Sequence, residues 1–273
     1  MQNIFCENKK DFKNILVCRP TYFGIDYEIN PWMSKNSKTS KKIFLKQWGL
    51  LCKSLKESGA KLNKILPQKN LPDMVFTANA GLYLKDTKTL MVSKFKHKER
   101  QGETQHFADY FENRGDKVVF TKYDFEGAGD CLFLGEHLVG GHGFRTDIRV
   151  YQEIKKYLKK EIKIVRLIDP RFYHLDTCFC PLENMDYLIF PKAFEKESIG
   201  KIRKIKGNEI IVPEEEAIHF ACNAVQVFKT IIIPSNCPKT CEKLSKLGYT
   251  VIEIPMTEFL KSGGACKCLT LAI

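Results

Sequence analysis

Short apolar runs rich in β-branched residues recur along the whole chain, and Gly, Pro, Asn or Asp lies between them. Runs of this length between turn residues are typical of β-strands. Several come in pairs close enough along the chain to form hairpins. The pattern predicts strands within residues 15–18, 74–84, 89–95, 117–120, 131–141, 163–168, 186–190, 209–212, 224–234, 250–254 and 268–273.

Four segments between these runs carry apolar residues at the 3.6-residue spacing of an amphipathic helix. In the first of them Phe44, Leu51 and Leu55 fall on one face. Glycines follow three of the segments, where a left-handed helix C-cap would lie. The predicted helices span about residues 41–58, 99–113, 147–160 and 237–247, and the glycines are Gly59, Gly115 and Gly248.

Strands outnumber helices, and pairs of strands alternate with single helices. This order predicts a mixed α/β architecture built from several small sheets. The strand–strand–helix pattern returns roughly every 50 residues, which suggests units repeated around an axis. Because no Pro/Ser-rich linker or low-complexity tract divides the chain, we expect a single domain over residues 1–273.

The composition indicates a soluble protein of a reducing compartment. Hydrophobic residues make up 44% of the 273 positions, which suffices for a substantial core. No stretch approaches the roughly 18 consecutive apolar residues of a membrane span. The first residues, MQNIFCENKKDFK, lack the apolar centre of a signal peptide. The 11 cysteines are therefore interpreted as free thiols, and we expect a cytoplasmic protein with no membrane partner.

The formal net charge of +12 raises the alternative of a nucleic-acid-binding protein. The lysines are scattered, however, through helix-like stretches such as EIKKYLKKEIK, a pattern typical of solvated faces. No base-stacking aromatic motif or zinc-finger spacing accompanies them. We therefore expect no nucleic-acid partner. The sequence leaves the oligomeric state open, a homo-oligomer included.

Three polar clusters interrupt strand-like runs, and the first two contain acids. Residues 125–130 place Glu126 and Asp130 around small residues. A buried acid is costly unless it binds a cation or is well hydrogen-bonded, although a simple acidic turn has the same pattern. In the second cluster, YHLDT, a strand would project His174 and Asp176 to the same side. That pair suits general acid–base catalysis, and a core histidine beside a turn-forming aspartate is the alternative.

The third cluster, SGGACKCLT at residues 262–270, contains two cysteines. A Gly-Gly pair allows the backbone to approach a ligand closely, and a thiolate near a histidine can act as a nucleophile. Two inert buried thiols or a metal site are the alternatives. The pairs Cys178-x-Cys180 and Cys266-x-Cys268 have the wrong spacing for a zinc site, and there is no HExxH motif. We expect no metal.

All three clusters together, in this order, resemble the guanidino-group-modifying superfamily of arginine deiminases, dimethylargininases, amidinotransferases and arginine dihydrolases. The matching motifs are PDMVFTANAG (72–81), DFEGAGD (124–130), GFRTD (143–147), YHLDT (173–177) and SGGACKCLTL (262–271). The resemblance covers nearly the whole chain. It implies a five-bladed α/β-propeller of ββαβ-type modules, the pentein fold.

The resemblance also implies the catalytic roles. Cys268, in the Cys-Leu-Thr pattern, is expected to be the nucleophile. His174 is expected to be the general acid/base, and Glu126 the carboxylate that binds the guanidinium. Asp176 would orient His174 or hold substrate nitrogens.

For substrate binding, the resemblance implies that Arg145, and less directly Arg100, clamps the α-carboxylate, because a planar guanidinium binds a carboxylate at two points. Deiminases and dimethylargininases carry an acid where this chain has Asn79. Together with the stretch VCRPTYFGIDYEINPWM (17–33), which contains Asn30, this indicates the arginine dihydrolase branch. In some relatives the domain is fused to a longer C-terminal region, and we expect any second activity housed there to be missing here.

The expected function is therefore hydrolysis of L-arginine to ornithine, carbon dioxide and two ammonia molecules. The resemblance implies attack by Cys268 on the guanidinium carbon, a covalent amidino-thioether, and no metal or organic cofactor. Dimethylargininase, citrulline-forming arginine deiminase and amidinotransferase activities are the alternatives. A catalytically inactive binding protein is a further alternative.

Overall fold

The computed structural model describes residues 13–273, which form five three-stranded sheets of one design. In each sheet the first two strands are antiparallel, and a helical crossover then leads to a third strand parallel to the second. An antiparallel neighbour needs only a tight turn, whereas a parallel neighbour needs a longer crossover, and this accounts for the helix in every unit. The predicted α/β-propeller of five ββαβ-type modules is confirmed. Residues 1–12, where we expect no signal peptide, lie outside the described residues.

The strands are numbered in chain order. They are β1 Lys13–Cys18, β2 Ala60–Ile65, β3 Gly81–Leu84, β4 Thr89–Val92, β5 Lys117–Phe120, β6 Cys131–Leu134, β7 His137–His142, β8 Ile162–Arg166, β9 Phe179–Pro181, β10 Asp186–Ile189, β11 Asn208–Ile211, β12 Val225–Val227, β13 Thr230–Pro234, β14 Thr250–Ile254 and β15 Leu271–Ala272. The strand orders are β15-β1-β2, β3-β4-β5, β6-β7-β8, β9-β10-β11 and β12-β13-β14.

The helices lie between these strands. They are α1 Lys41–Glu57, α2 Lys98–Gln101, α3 Glu103–Asn113, α4 Val150–Tyr157, α5 Lys196–Arg203, α6 Glu214–Ala217, α7 Pro238–Lys246 and α8 Thr257–Leu260. The face of α1 predicted from spacing is the buried one, with Phe44, Leu51 and Leu55 in the core. After α1 the chain turns at Gly59, whose φ of 101° favours glycine. Within residues 13–273 no helix combines the length and apolar character needed to cross a bilayer.

The first sheet joins the two ends of the described chain. β1 is its central strand and pairs in parallel with β2 and antiparallel with β15, with Ile15 opposite Ala272. The other four sheets each use strands that are consecutive in sequence. The ring of sheets therefore closes through the pairing of β15 with β1.

Two of the strand predictions are wrong in a way that matters for the site. Residues 74–80 form short 3₁₀ turns (Pro72–Val75 and Thr77–Ala80), and the chain extends only from Gly81 onward. Residues 266–269 likewise form a turn, and only Leu271–Ala272 pair with a neighbour. Apolar side chains in these turns are buried at the centre of the ring, so burial alone produced a strand-like pattern. The spacing of apolar residues also missed strands β2 and β9 and helices α5, α6 and α8.

Turns of this kind precede the first strand of several sheets. The turn Thr77–Ala80 leads into β3, Gly127–Gly129 leads into β6, and Leu175–Thr177 leads into β9. Neighbouring turns contact one another. The polar motifs of different sheets therefore meet at one end of these strands.

Candidate active site

Cys268, the predicted nucleophile, lies in the turn before β15 and is 4% exposed. Its thiol donates to Oδ2 of Asp176, with Sγ 3.4 Å from that oxygen. The side chain of Asn223 donates from Nδ2 to the same sulfur over 3.1 Å and accepts the Cys268 backbone N–H at Oδ1, also over 3.1 Å. Cys266 is fully buried and does not line the pocket into which Cys268 opens.

His174 and Glu126 form the next contact of the site. His174 Nε2 lies 2.7 Å from Oε2 of Glu126, and both side chains are buried. Gly127, which follows Glu126, has a φ of 60°, and a Cβ there would lie 2.6 Å from the backbone nitrogen of Gly81. Glycine at this position allows the turns before β3 and β6 to touch, and this contact brings Glu126 to the centre of the ring of sheets.

Arg145 completes a buried charged group around Glu126. Its Nη1 donates to Oε2 and Oε1 of Glu126 over 3.0 and 3.3 Å, and its Nη2 donates to the carbonyl of Ile29 over 2.9 Å. The guanidinium also lies over the ring of Tyr173, 4.6 Å from its centroid. Burial alone would raise the pKa of Glu126, but Arg145 and then His174 outweigh burial and hold it well below its usual range. Glu126 is therefore an anion.

Asn79 connects this group to Arg100. Asn79 Nδ2 donates to the backbone carbonyl of Glu126 over 3.2 Å, and Asn79 Oδ1 accepts from Arg100 Nη1 over 3.0 Å. Arg100 is fixed on its other side by a fork to Glu103, with both N–O distances 2.8 Å. A primary amide has two donors and two acceptor sites, so one of each remains on Asn79. The contacts of Arg100 indicate that it positions Asn79, and its predicted contact with a substrate carboxylate stays a prediction.

Asn30 closes one side of the site. Its Nδ2 donates to the Ser262 carbonyl over 3.1 Å and to the Tyr173 hydroxyl over 3.3 Å. Its Oδ1 accepts the backbone N–H groups of Trp32 and Met33. The side chain thereby ties the N-terminal loop to the segment that carries Cys268.

These residues surround a narrow pocket with about 260 Å³ of non-atom space. Asp73 reaches it as well: Oδ2 accepts from the Tyr27 hydroxyl over 2.9 Å, while the buried Oδ1 has no hydrogen-bond partner within residues 13–273. An unpaired buried carboxylate oxygen is costly and marks a place for a donor. The pocket lining comprises Ile29, Asn30, Met33, Asp73, Phe76, Asn79, Arg100, Arg145, Tyr173, His174, Ser262, Gly263 and Cys268.

Burial and charge oppose ionisation of the thiol. Burial, and next the Asp176 carboxylate, raise the pKa of Cys268 well above its ordinary value. Burial also raises the pKa of Asp176 itself, to about 6, although Lys267 and the hydrogen bonds from Cys268 and Asn223 lower it. The thiol is therefore the resting form, and a cation in the pocket would favour the thiolate.

The structure thus brings the predicted residues of five distant motifs to one place, but it corrects the geometry of the second cluster. His174 and Asp176 flank a 3₁₀ turn instead of sharing one side of a strand. As a result His174 contacts Glu126, whereas Asp176 contacts Cys268. His174 is therefore held by Glu126 and not by Asp176, and the other predicted role of Asp176, holding substrate nitrogens, stays a prediction.

Sequence reasoning missed two residues of the site, Asn223 and Asp73. Asp73 lies within the PDMVFTANAG motif, where an acid next to a proline is a sequence signal that could have indicated it. Asn223, in the stretch FACNAV, carries no motif signal at all. Its contacts depend on how two sheets lie side by side.

Two further features concern metal ligands and a second cavity. Within residues 13–273 no group of three or more His, Cys, Asp or Glu side chains is placed to hold a metal ion. A larger cavity opens at the opposite end of the first strands. None of the residues that line the smaller pocket lines this cavity.

Comparison with known proteins identifies the family of the chain. The family model described as N,N dimethylarginine dimethylhydrolase, eukaryotic, matches residues 19–273. The bifunctional arginine dihydrolase/ornithine cyclodeaminase ArgZ of Synechocystis is 46% identical over 266 residues, which is 95% of this chain and 37% of that protein. The N(G),N(G)-dimethylarginine dimethylaminohydrolase of Mycobacterium tuberculosis is 34% identical over 254 residues, 93% of this chain and 83% of that protein.

A solved structure of the N-terminal domain of an ArgZ variant, covalently bonded to a reaction intermediate, superposes with a TM-score of 0.92 at 45% identity. The match covers 95% of this chain and 97% of that one. The chain therefore spans 37% of the length of the bifunctional relative but nearly all of its N-terminal domain.

Proposed function

The chain belongs to the N,N-dimethylarginine dimethylhydrolase family, and we propose that it is an arginine dihydrolase that converts L-arginine to ornithine, carbon dioxide and two ammonia molecules. Residues 1–273 would act as one guanidine-modifying domain. The higher identity to the arginine dihydrolase, 46% against 34% for the dimethylarginine hydrolase, supports this assignment within the family.

The pocket offers the charges that an α-amino acid with a guanidinium needs. Glu126 is an anion that suits the guanidinium, and the free oxygen of Asp73 suits the α-ammonium. A substrate guanidinium and Arg145 would compete for Glu126. We propose that the substrate takes over this carboxylate and that Arg145, once released, pairs with the substrate's α-carboxylate. One exchange of ion pairs would then bind both ends of the substrate.

The chemical steps follow from these positions. With the cationic guanidinium bound, the Cys268 thiol releases its proton to water, and the sulfur then attacks the guanidinium carbon while Glu126 holds the N–H groups. His174 protonates the departing ammonia, which leaves an amidino-thioether on sulfur. His174 then takes a proton from water, and the hydroxide adds to the same carbon. Collapse breaks the carbon–sulfur bond and gives the ureido group of citrulline.

The amide side chain of Asn79 is the observation that supports a second hydrolysis. Asn79 lines the pocket beside Glu126 and keeps one donor and one acceptor unused, whereas a carboxylate there would only accept. An amide is able to hold the cationic guanidinium first and the neutral ureido group afterwards. We propose that citrulline is thereby retained for a second attack, which consumes a second water and releases ammonia, carbon dioxide and ornithine.

The alternative function is hydrolysis of dimethylarginine to citrulline. The description of the matching family and the relative from Mycobacterium tuberculosis favour it. It requires room for two methyl groups on one guanidinium nitrogen, next to Glu126 and Asn79.

The deciding experiment is to incubate the protein separately with L-arginine and with asymmetric dimethylarginine and to quantify ornithine, citrulline, ammonia and dimethylamine. We expect two ammonia and one ornithine for each arginine. Stoichiometric citrulline with one ammonia, or turnover of dimethylarginine alone, would contradict the proposal. The Cys268→Ser variant provides the background.

A further inference from the structure

Asn223 occupies a position in the ring that the predicted site residues share. It lies two residues before β12, the first strand of the fifth sheet. In each of the other four sheets, the segment just before the first strand carries a predicted site residue. These are Asn79 before β3, Glu126 before β6, His174 before β9 and Cys268 before β15. Asn223 is thus the fifth member of the group, and the function described above gives it no role.

The hydrogen bonds of Asn223 fix the direction of its amide. The side chain is 0% exposed, and its Oδ1 accepts the backbone N–H of Cys268. Its Nδ2 must therefore point the other way, where it donates to the Cys268 sulfur over 3.1 Å and to the Asp176 carbonyl over 2.9 Å. A reversed amide would set Oδ1 against the Asp176 carbonyl, a contact without a donor, and Nδ2 against the Cys268 backbone N–H, a contact without an acceptor.

The charges around Cys268 make a donor at sulfur valuable. Asp176 and Lys267 are its charged neighbours, of opposite sign. Tyr173, His174, Asp73, Arg100 and Arg145 line the same pocket. When the S–H bond breaks, the electron pair stays on sulfur and the proton passes to water, while Asp176 Oδ2 loses the hydrogen bond that it accepts from the thiol. The Asn223 N–H then meets an anion, and hydrogen bonds to charged groups are the strong ones.

We propose that Asn223 is a catalytic residue whose Nδ2–H stabilises the Cys268 thiolate, both before sulfur attacks carbon and again when the carbon–sulfur bond breaks and sulfur recovers the electron pair. The second half of this role rests on the proposed function. The first half concerns the thiol alone and does not depend on any substrate.

The test is the pKa of Cys268, measured from the pH dependence of its alkylation by iodoacetamide without substrate. Each rate is corrected with the same protein carrying Cys268→Ser, which removes the contribution of the other cysteines. In Asn223→Ala we expect the pKa to rise by about one to two units. In the proposed reaction, kcat/KM at neutral pH should fall about 10- to 100-fold, and the deficit should shrink as the pH rises.

A matched control separates this effect from the loss of any buried amide. Gln47 is buried, and its Nε2 donates to Thr257, away from the pocket. Gln47→Ala should lower the melting temperature but leave the pKa of Cys268 unchanged. An unchanged Cys268 pKa in folded Asn223→Ala would overturn the proposal, as would an activity loss of the same size at every pH.

A measurement on the native side chain covers the case in which Asn223→Ala does not fold. With asparagine labelled with ¹⁵N, the Asn223 NH₂ resonance should shift as Cys268 ionises and should be displaced in Cys268→Ser. An NH₂ resonance whose chemical shift is the same before and after Cys268 ionises, and also in Cys268→Ser, would refute the hydrogen bond to sulfur. A protein that shows these shifts but leaves arginine intact would refute the proposed function and retain the role of Asn223 at the thiol.

Discussion

The guanidinium of Arg145 lies on the carboxylate of Glu126, with Nη1 3.0 Å from Oε2 and 3.3 Å from Oε1. The group expected to receive the substrate's guanidinium therefore already binds one that belongs to the protein. Both partners are buried, so neither is screened by water. The proposed recognition of arginine at this site is therefore an exchange of one guanidinium for another.

This exchange predicts a requirement for the substrate's α-carboxylate. Arg145 leaves Glu126 at little cost only if a second carboxylate receives it, because a buried unpaired charge is unfavourable. Agmatine, which lacks that group, should have a kcat/KM at least about 10-fold below that of arginine. Steady-state kinetics with arginine and with agmatine will measure this difference in kcat/KM. In Arg145→Gln the preference should shrink, whereas Arg149→Gln, an exposed neighbour on the same loop, should retain it. Efficient agmatine hydrolysis by the wild type would contradict the exchange.

The two cysteines near β15 should differ sharply in importance. Cys268→Ser should abolish turnover, because serine is a far weaker nucleophile at neutral pH. Cys266→Ser should keep most of it, because Cys266 does not reach the pocket. Activity assays and mass spectrometry of trapped adducts will distinguish them. Activity lost in Cys266→Ser and kept in Cys268→Ser would reverse the assignment.

His174 and Glu126 should affect the rate far more than the fold. Replacing His174 by Ala, or Glu126 by Gln, should lower kcat by about 10²–10⁴-fold, the usual contribution of a positioned acid or base. His137, a half-exposed histidine on β7, serves as the control in His137→Ala. Circular dichroism during heating will check folding. If either site variant is unfolded, or turns over at nearly the normal rate, the side chain has a structural role instead.

The charge of Asp176 should set the pH range in which Cys268 reacts. The pKa of Asp176 is raised by burial to about 6, so the carboxylate is neutral below that pH and ionised above it. An ionised Asp176 disfavours the thiolate. Asp176→Asn should therefore accelerate alkylation of Cys268 above pH 6, by about tenfold for each unit that the thiol pKa falls, with little change below pH 6. Asp86→Asn, an exposed site, is the control, and equal rates at all pH values would exclude this coupling.

Asn79 should control how far the reaction proceeds. An aspartate in its place would accept but not donate, and it would bind citrulline's ureido oxygen poorly. Hydrogen bonds to charged groups contribute about 1.5–3 kcal/mol and neutral ones about 0.5–1.5 kcal/mol, so the added charge favours arginine over citrulline. Asn79→Asp should let citrulline accumulate, with the ammonia yield moving from two toward one per arginine. An unchanged product ratio would remove Asn79 from the second step.

The sequence could place much of this site because its polar motifs interrupt apolar runs. Glu126, His174 and Cys268 lie within such motifs, and the resemblance assigned their roles. The amphipathic face of α1 was equally accessible, since its period is local. The inferences that failed assumed the two-residue period of a strand. In a 3₁₀ turn that period does not apply, so His174 and Asp176 have different partners.

Contacts between residues of different sheets could not be predicted from local sequence patterns. Asn223 contacts Cys268 because the turns before β12 and β15 lie side by side, which is a property of the closed ring. The stretch FACNAV looks like any segment that precedes a strand, so it gives no indication that Asn223 belongs to the site. The same holds for the ion pair of Arg145 with Glu126, since spacing does not reveal which of several acids a buried arginine will meet.

The pairing of β15 with β1 has a consequence for folding kinetics. It joins the positions farthest apart in the described chain, so its loop-closure entropy is the largest, and such contacts tend to form late. Cys268 lies three residues before β15, and we expect its contacts with Asn223 and Asp176 to form only when that strand is in place. A partly folded chain in which the other four sheets have formed, but β15 has not paired with β1, should therefore show no turnover. The onset of turnover during refolding would report ring closure itself, separately from the earlier appearance of helices and strands.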